Sequence, residues 1–516
     1  MNGRRRGLAS VVAVAWAGLV MAAPGVAGAD VVPVEVPVTA MDQGAGVANN
    51  SPTIAVDPTE PRFVVIANRL DAPHFGCALQ LSGDGGAGWV TVDVLPELPE
   101  GAETCYAPEV AFDADGVLYY VFVGLAGSGN QPMGVFLTTS RDRGQTFTTP
   151  RQVLGSLKFS VRMAIDRDAG DGSRLHLVWI DATSEPPLGG FGPPPNPIMA
   201  AHSDDGGATF SAPVQVSHPA LDRVVAPALA LGPDGDVHVA YYDLEDDAID
   251  YQGLEGPPVW PGTWSLVLAG STDRGASFRA HRVVDDAVEP HERVLLVFTM
   301  PPPALVTDRH GEPCVAWTDA RHGDADVLLR CAGDRGNERS QPQRLNDDSV
   351  GNGRSQYMPR LAVSPTGRID AIFYDRREDP DDLATHIYLT SSADDGHSFA
   401  PNRPVTAEPF DPRIGQRYVH PAASGLVEFG SRLGLLPRAD GVLAAWTDTR
   451  NSEPGTTGQD VFAASVSLPR ATHGRDTGGT LPTAVLAAAA LAVVVPLVGI
   501  GARRHRHRRA DARSGT

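Results

Sequence analysis

The chain has 516 residues, with 42 Lys and Arg against 62 Asp and Glu, a net charge of −20. Setting aside 3 arginines before Asp30, and 6 arginines and 1 aspartate after Ala502, leaves 33 basic and 61 acidic residues between them, a net −28. A surface of that sign excludes nucleic acid as a partner. Four cysteines, none in a Cys-x-x-Cys spacing, argue for disulfides in an exported protein rather than for a zinc site.

Residues 1–29 read as a signal peptide: Arg4, Arg5 and Arg6, an apolar stretch from Leu8 to Ala23, and a small-residue cleavage site at Ala27-Gly-Ala29. Next comes Val34 to Thr39, an alternating strand with the character of the strands Pro213 to Ser217 and Pro404 to Thr406 much further on. Seven strand–turn–strand units follow: Pro52 to Ala67, Pro108 to Val123, Val161 to Asp181, Ala226 to Asp243, Pro303 to Asp319, Pro359 to Asp375 and Leu433 to Asp448. They are short, rich in Val, Leu, Ala and aromatics, and separated by Gly, Pro and Asp turns.

Interleaved with these is Ser-x-Asp-x-Gly-x-x-aromatic, in five copies: Ser82 to Trp89, Ser140 to Phe147, Ser203 to Phe210, Ser271 to Phe278 and Ser392 to Phe399. A sixth copy keeps only Asp334 and Gly336. The aspartates at 84, 142, 205, 273, 334 and 394 are 58, 63, 68, 61 and 60 residues apart, a period that marks a repeat architecture. Ser and Asp side chains close a tight turn through the backbone, Gly takes the left-handed conformation, and the aromatic folds back into the core. The pattern is therefore scaffold, with no catalytic role.

This motif resembles the Asp-box, or BNR repeat, of sialidases and related propeller proteins, and the resemblance covers most of residues 30–468. It implies an all-β fold, a β-propeller of four-stranded antiparallel blades. In that family the box lies on the hairpin between third and fourth strands, away from the active site. Seven inner pairs predict seven blades, the last closed by Val34 to Thr39 as its outer strand. Sialidases generally have six; seven-bladed relatives include xyloglucanase-type hydrolases and photosystem assembly factors. Two disulfides are expected, Cys77–Cys105 around the first box and Cys314–Cys331 on adjacent strands.

Function is then expected on the face opposite the boxes, where the second strands end. Asp181, Asp243, Asp319, Asp375 and Asp448 recur there, Asn68 and Gly124 stand in the first two blades, and Arg321, Arg377 and Arg450 follow two residues on, with Arg69 directly after Asn68. The bland reading is that these aspartates cap their loops and pair with the neighbouring arginines. The functional reading is a ligand rim, since arginine forks suit carboxylates. Two long loops on that face, 182–197 and 244–262, carry Phe191 and Trp260, aromatics suited to stacking on sugars. Glu378 to Asp382 is an acidic turn without the spacing of a known calcium loop, so no cofactor is expected, with calcium a minor alternative.

A sialidase needs an arginine triad, a Tyr–Glu nucleophile pair and an Asp acid/base. Its first arginine belongs to an Arg-Ile-Pro motif before the first box. Here only Arg62 and Arg69 precede Ser82 after Asp30, neither before Ile-Pro; Arg413-Ile-Gly415 lies in the wrong blade, and Tyr418 beside Arg417 is a bare candidate. The expectation is thus a non-catalytic propeller recognising a glycan or a surface protein, with an exo-α-sialidase-type hydrolase as the alternative.

The chain closes with a linker at 469–480, an uncharged 22-residue segment at 481–502, and a basic tail at 503–516. The segment is long enough to span a bilayer, Pro496 included, and the arginines after it predict a cytoplasmic tail and an extracellular propeller.

Overall fold

The structure is a computed structural model that describes residues 33–39, 46–92, 97–127, 130–168, 173–183, 193–248, 251, 260–291, 300–332, 341–417 and 427–468. The expected signal peptide at 1–29, the expected membrane segment at 481–502, the basic tail, Phe191 and the sixth Ser-x-Asp copy around Asp334 lie outside the described residues. No helix among the described residues is long and apolar enough to cross a membrane.

Seven four-stranded antiparallel sheets follow one another along the chain as the blades of a propeller. Blade 1 runs Ala48–Val56, Val64–Ala72, Gly76–Ser82, Val90–Thr91, and blades 2 to 6 repeat that order of inner, second, third and outer strand. In blade 7 the inner, second and third strands are Gly434–Arg438, Gly441–Asp448 and Asp460–Ser467, and the outer strand is Val34–Pro37 from the other end of the domain. Val34 pairs with Ser465 and Pro37 with Phe462, so the ring is sealed by the first and last of the described strands, as the sequence predicted. Closure leaves only short outer edges to solvent.

The core lies between blades. On the second strands, two residues before Gly124, Asp181, Asp243, Asp319, Asp375 and Asp448, stand Phe122, Trp179, Tyr241, Trp317, Phe373 and Trp446, all at most 2% exposed. Burying such a ring stabilises by roughly 2–3 kcal/mol. Blade 1 has Asn68 in this seat; it is fully buried and satisfied in part by donating to Asn49 Oδ1 (3.0 Å).

The Ser-x-Asp-x-Gly turns are built as the side-chain chemistry requires. In the first, Ser82 Oγ donates to Asp84 (2.7 Å) and accepts from Gly86 N–H (2.8 Å), while Asp84 accepts from Ala87 and Gly88 N–H (3.0 Å each). The other four repeat this, with Thr146, Thr209, Ser277 and Ser398 adding a second hydroxyl donor to the aspartate. Each turn seats on the preceding blade: a Cβ added at Gly86, where φ is +95°, would stand 2.6 Å from Leu443. Both expected disulfides are present; Cys77–Cys105 ties blade 1 to blade 2, and Cys314–Cys331 joins directly paired residues within blade 5.

Candidate functional site

The turns between inner and second strands share a face with the Ser-x-Asp turns, shown by Arg143 of the second such turn pairing with Asp57 of blade 1 (2.9 Å). The opposite face therefore carries the ends of the second strands and the starts of the inner ones.

On that face the Asp/Arg repeat is present but closed on itself. Asp319, Asp375 and Asp448 are wholly buried. Asp319 accepts from Trp317 Nε1 (2.9 Å), Arg321 N–H (3.0 Å) and Arg321 Nε (2.9 Å). Asp375 holds Arg377 through its N–H (2.7 Å) and Nε (2.8 Å), and Asp448 holds Arg450 in the same way (2.8 and 3.0 Å). Each guanidinium then reaches outward: Arg321 to Asp285 (2.8 Å), Arg377 to Asp347 (2.6 Å), Arg450 to Glu35 (2.6 Å). Burial pulls the Arg321 and Arg377 pKa values down, but the paired carboxylates more than offset it, and both are raised. Asp181 pairs with Lys158 (2.6 Å), and Asp243, buried, receives the Glu245 N–H (3.3 Å). Three of these aspartates, through their arginines, staple strand exits to or near outer strands, and two close on their own blade, which is the bland reading of the repeat.

Blade 1 needs a correction. By cross-strand register the blade 1 equivalent of Asp181 is Leu70, since Asn49 pairs with Leu70 as Lys158 pairs with Asp181. Asn68 sits two residues earlier, in the aromatic seat, so it is no member of the rim. Arg69 is buried and pairs with Asp71 (2.7 Å). Trp260 is half-buried against the core of blade 4, not held free for a ligand. In the acidic turn, Asp379 accepts the N–H groups of Asp381, Leu383 and Ala384, which makes it a turn cap. Among the described residues no three His, Cys, Asp or Glu side chains are grouped to hold a metal ion.

The chemistry lies deeper, at the channel, in residues the sequence reading passed over. Ser51, Ala107, Ser160, Ala226 and Met358 all take positive φ, from 49° to 55°, at one register shift of five inner strands. Such a conformation costs of order 1–3 kcal/mol in a residue with a Cβ. The residue two further on, where pairing resumes, is Thr53, Glu109, Arg162, Ala228 and Arg360 in turn. Each bulge kinks its strand and re-aims this position.

Glu109 is the hub. Arg162 Nη1 donates to it at 3.2 Å and Arg432, from the segment entering blade 7, also pairs with it. Arg162 Nε further donates to Pro227 O (3.2 Å); Arg432 donates to Ser51 O (3.1 Å) and Pro108 O (2.7 Å). Arg432 thus spans from blade 7 across blade 1 to blade 2. Burial lowers the Arg432 pKa to about 10, with Arg162 and Arg69 lowering it further and Glu109 opposing, so it stays charged at neutral pH. Burial lowers Arg162 as well, against the pull of Glu109.

Arg360 is the unspent cation. It makes no hydrogen bond or ion pair among the described residues, although Glu109 and Arg432 both act on it electrostatically. Its surface is exposed, yet loss of hydration lowers its pKa. A guanidinium that is open to solvent yet hemmed in by protein suits the central channel of a propeller. Three guanidiniums against one carboxylate leave this centre with a surplus of two positive charges in an otherwise acidic domain.

No protein-family model matches the sequence, and no curated protein matches it. Solved structures do. A Dyadobacter fermentans DSM 18053 protein of unknown function is 14% identical over 66% of this chain and 93% of its own, with a TM-score of 0.44. The α-L-arabinofuranosidase arb93a of Fusarium graminearum is 13% identical over 84% of this chain and 97% of its own, also at 0.44. The Hadza microbial sialidase Hz136 is 12% identical over 80% of this chain and 75% of its own, at 0.41. The functional argument rests on the residues and not on these likenesses.

Proposed function

We propose that this chain is a membrane-anchored, extracellular propeller of the Asp-box kind that recognises a carboxylate-bearing glycan at its channel mouth, without cleaving it. Arg360 carries this reading: an unpaired guanidinium inside a channel, beside two more, is an anion site waiting for its partner. A low local dielectric strengthens that attraction. The non-catalytic side rests on the carboxylates. The buried aspartates at the strand exits are engaged by their own arginines or backbone, and Glu109 is engaged by two, so among the described residues these carboxylates are already committed.

Calorimetric titration of the full-length protein with methyl glucuronide and with N-acetylneuraminate tests this. Binding is expected, and loss of it in Arg360→Gln. Absence of binding by the unaltered protein sinks the reading. A second reading, an exo-α-sialidase-type hydrolase, draws support from the gathering of Arg162, Arg360 and Arg432 round Glu109. Release of a fluorophore from a sialoside, abolished by Arg360→Gln, would establish it over the first.

A further inference from the structure

Blades 3, 5 and 7 each seat a tryptophan on the second strand, and two of them use it alike. Trp317 Nε1 donates to Asp319 Oδ2 and Trp446 Nε1 to Asp448 Oδ2, at 2.9 Å each, and both carboxylates are wholly buried. Trp179 of blade 3 has the same carboxylate two residues on, yet its fully buried Nε1 has no partner among the described residues. Asp181 is turned away instead. Its side chain is 31% exposed where those of Asp319 and Asp448 are 0%, and it pairs across the strands with Lys158 at 2.6 Å. Where Arg321 and Arg450 stand in the sister blades, blade 3 has Thr183, so no guanidinium two residues on holds Asp181 in the buried seat.

Asp181 therefore has two partners to choose between, one engaged and one unmet. The unmet buried N–H weighs against the present position, burial of the carboxylate weighs against the other, and a partly exposed ion pair adds little to the balance. Lys158 opens the inner strand of blade 3 on the functional face and is the only lysine of the chain. Its cross-strand partner lies three residues from that of Arg162, which puts it about 10 Å along the strand from the cationic centre. We infer that Lys158 is a second anion contact at the channel mouth: a further carboxylate of the ligand takes it over, and Asp181 turns onto Trp179 Nε1 as its counterparts do. The ligand is then a glycan with at least two acidic sugars. The inference rests on the anion-site reading above and adds the class of chain. The mouth holds four cations, Lys158, Arg162, Arg360 and Arg432, against two carboxylates, Asp181 and Glu109, so two ligand carboxylates bring it to neutrality.

The test titrates the full-length protein with methyl glucuronide, which has one carboxylate, and with trigalacturonate, which has several. Trigalacturonate is expected to bind roughly tenfold tighter. Lys158→Met should remove that gain and leave methyl glucuronide unchanged, with thermal unfolding as the check on the fold. Trp179→Phe keeps the ring and deletes the N–H. It should cost the free protein no stability, yet weaken trigalacturonate roughly three- to tenfold, which a purely structural tryptophan would not do. Isotopic methylation of amines labels Lys158 and the chain's terminal amine alone, and the Lys158 resonance should move with trigalacturonate and not with methyl glucuronide. If trigalacturonate binds no tighter than methyl glucuronide, or keeps its gain in Lys158→Met, the inference fails and the anion site stands. A Trp179→Phe variant that binds trigalacturonate as the parent does overturns the exchange of Asp181. If no probe binds, both readings fail.

Discussion

Glu109→Gln puts the channel centre to a direct test. Glu109 is the one carboxylate shared by Arg162 and Arg432, whose side chains are 14% and 8% exposed against 11% for its own. The amide keeps one acceptor oxygen and nearly the same volume, so packing is preserved while the countercharge is lost. Removing one partner of a buried ion pair leaves the other charge uncompensated, at a cost of about 3–5 kcal/mol. The lower end is expected here, because Arg432 keeps the Ser51 and Pro108 carbonyls and Arg162 keeps Pro227. Thermal unfolding of Glu109→Gln, Arg432→Gln and the double variant gives the coupling energy, expected at about 1–3 kcal/mol. A second signature follows from charge alone: the variant has three guanidiniums and no carboxylate, so a small carboxylate such as methyl glucuronide should stabilise it more than the unaltered protein at equal concentration. Additive single effects within about 0.5 kcal/mol, with no difference in the response to carboxylate, would refute the picture of a coupled channel centre.

Three further predictions separate scaffold from site. Arg450→Ala leaves Asp448 buried without its guanidinium and should lower stability by about 3 kcal/mol, read from the unfolding transition, while methyl glucuronide affinity is unchanged. His176 is 3% exposed, and burial, then His202, lowers its pKa to about 4. The unfolded state thus binds the proton first, so stability falls as pH drops below about 6.5, by about 2 kcal/mol at pH 5, and stops falling below pH 4. Since Gly275 seats on His176 where Gly207 and Gly144 seat on leucines, His176→Leu should remove that slope in unfolding curves taken at pH 7 and 5. Reduction of Cys77–Cys105, closing a 28-residue separation between blades 1 and 2, should lower stability by about 3 kcal/mol, checked by unfolding Cys77→Ser/Cys105→Ser against the parent.

The repeat made the fold legible. Ser82, Asp84 and Gly86 must lie close in sequence to close one turn, so the pattern survives as a string, and its period counts blades. The same locality made the Asp/Arg repeat conspicuous. Asp319 and Arg321 are two residues apart because one caps and pairs with the other, and a group already satisfied by its neighbour has little left for a ligand. Blade 1 misled for a related reason: Asn68-Arg69 mimics the exit motif in letters, but the pairing of Asn49 with Leu70 and Thr53 with Ala67 places Asn68 in the aromatic seat.

The channel residues obey the opposite rule. Glu109, Arg162, Arg360 and Arg432 come one per blade, and what unites them is convergence on a single axis, which no local spacing records. A trace does exist. Pro52-Thr53, Pro108-Glu109, Pro227-Ala228 and Pro359-Arg360 share a proline just after the strained residue and just before the channel position. Proline has no N–H to place in a ladder, so within a strand it marks a bulge. In a propeller, a recurrent proline near the start of the inner strands therefore points to the residue after it. There a side chain can reach its counterparts from other blades, as Glu109 and Arg162 do, and a charge is answered by another blade or by a ligand.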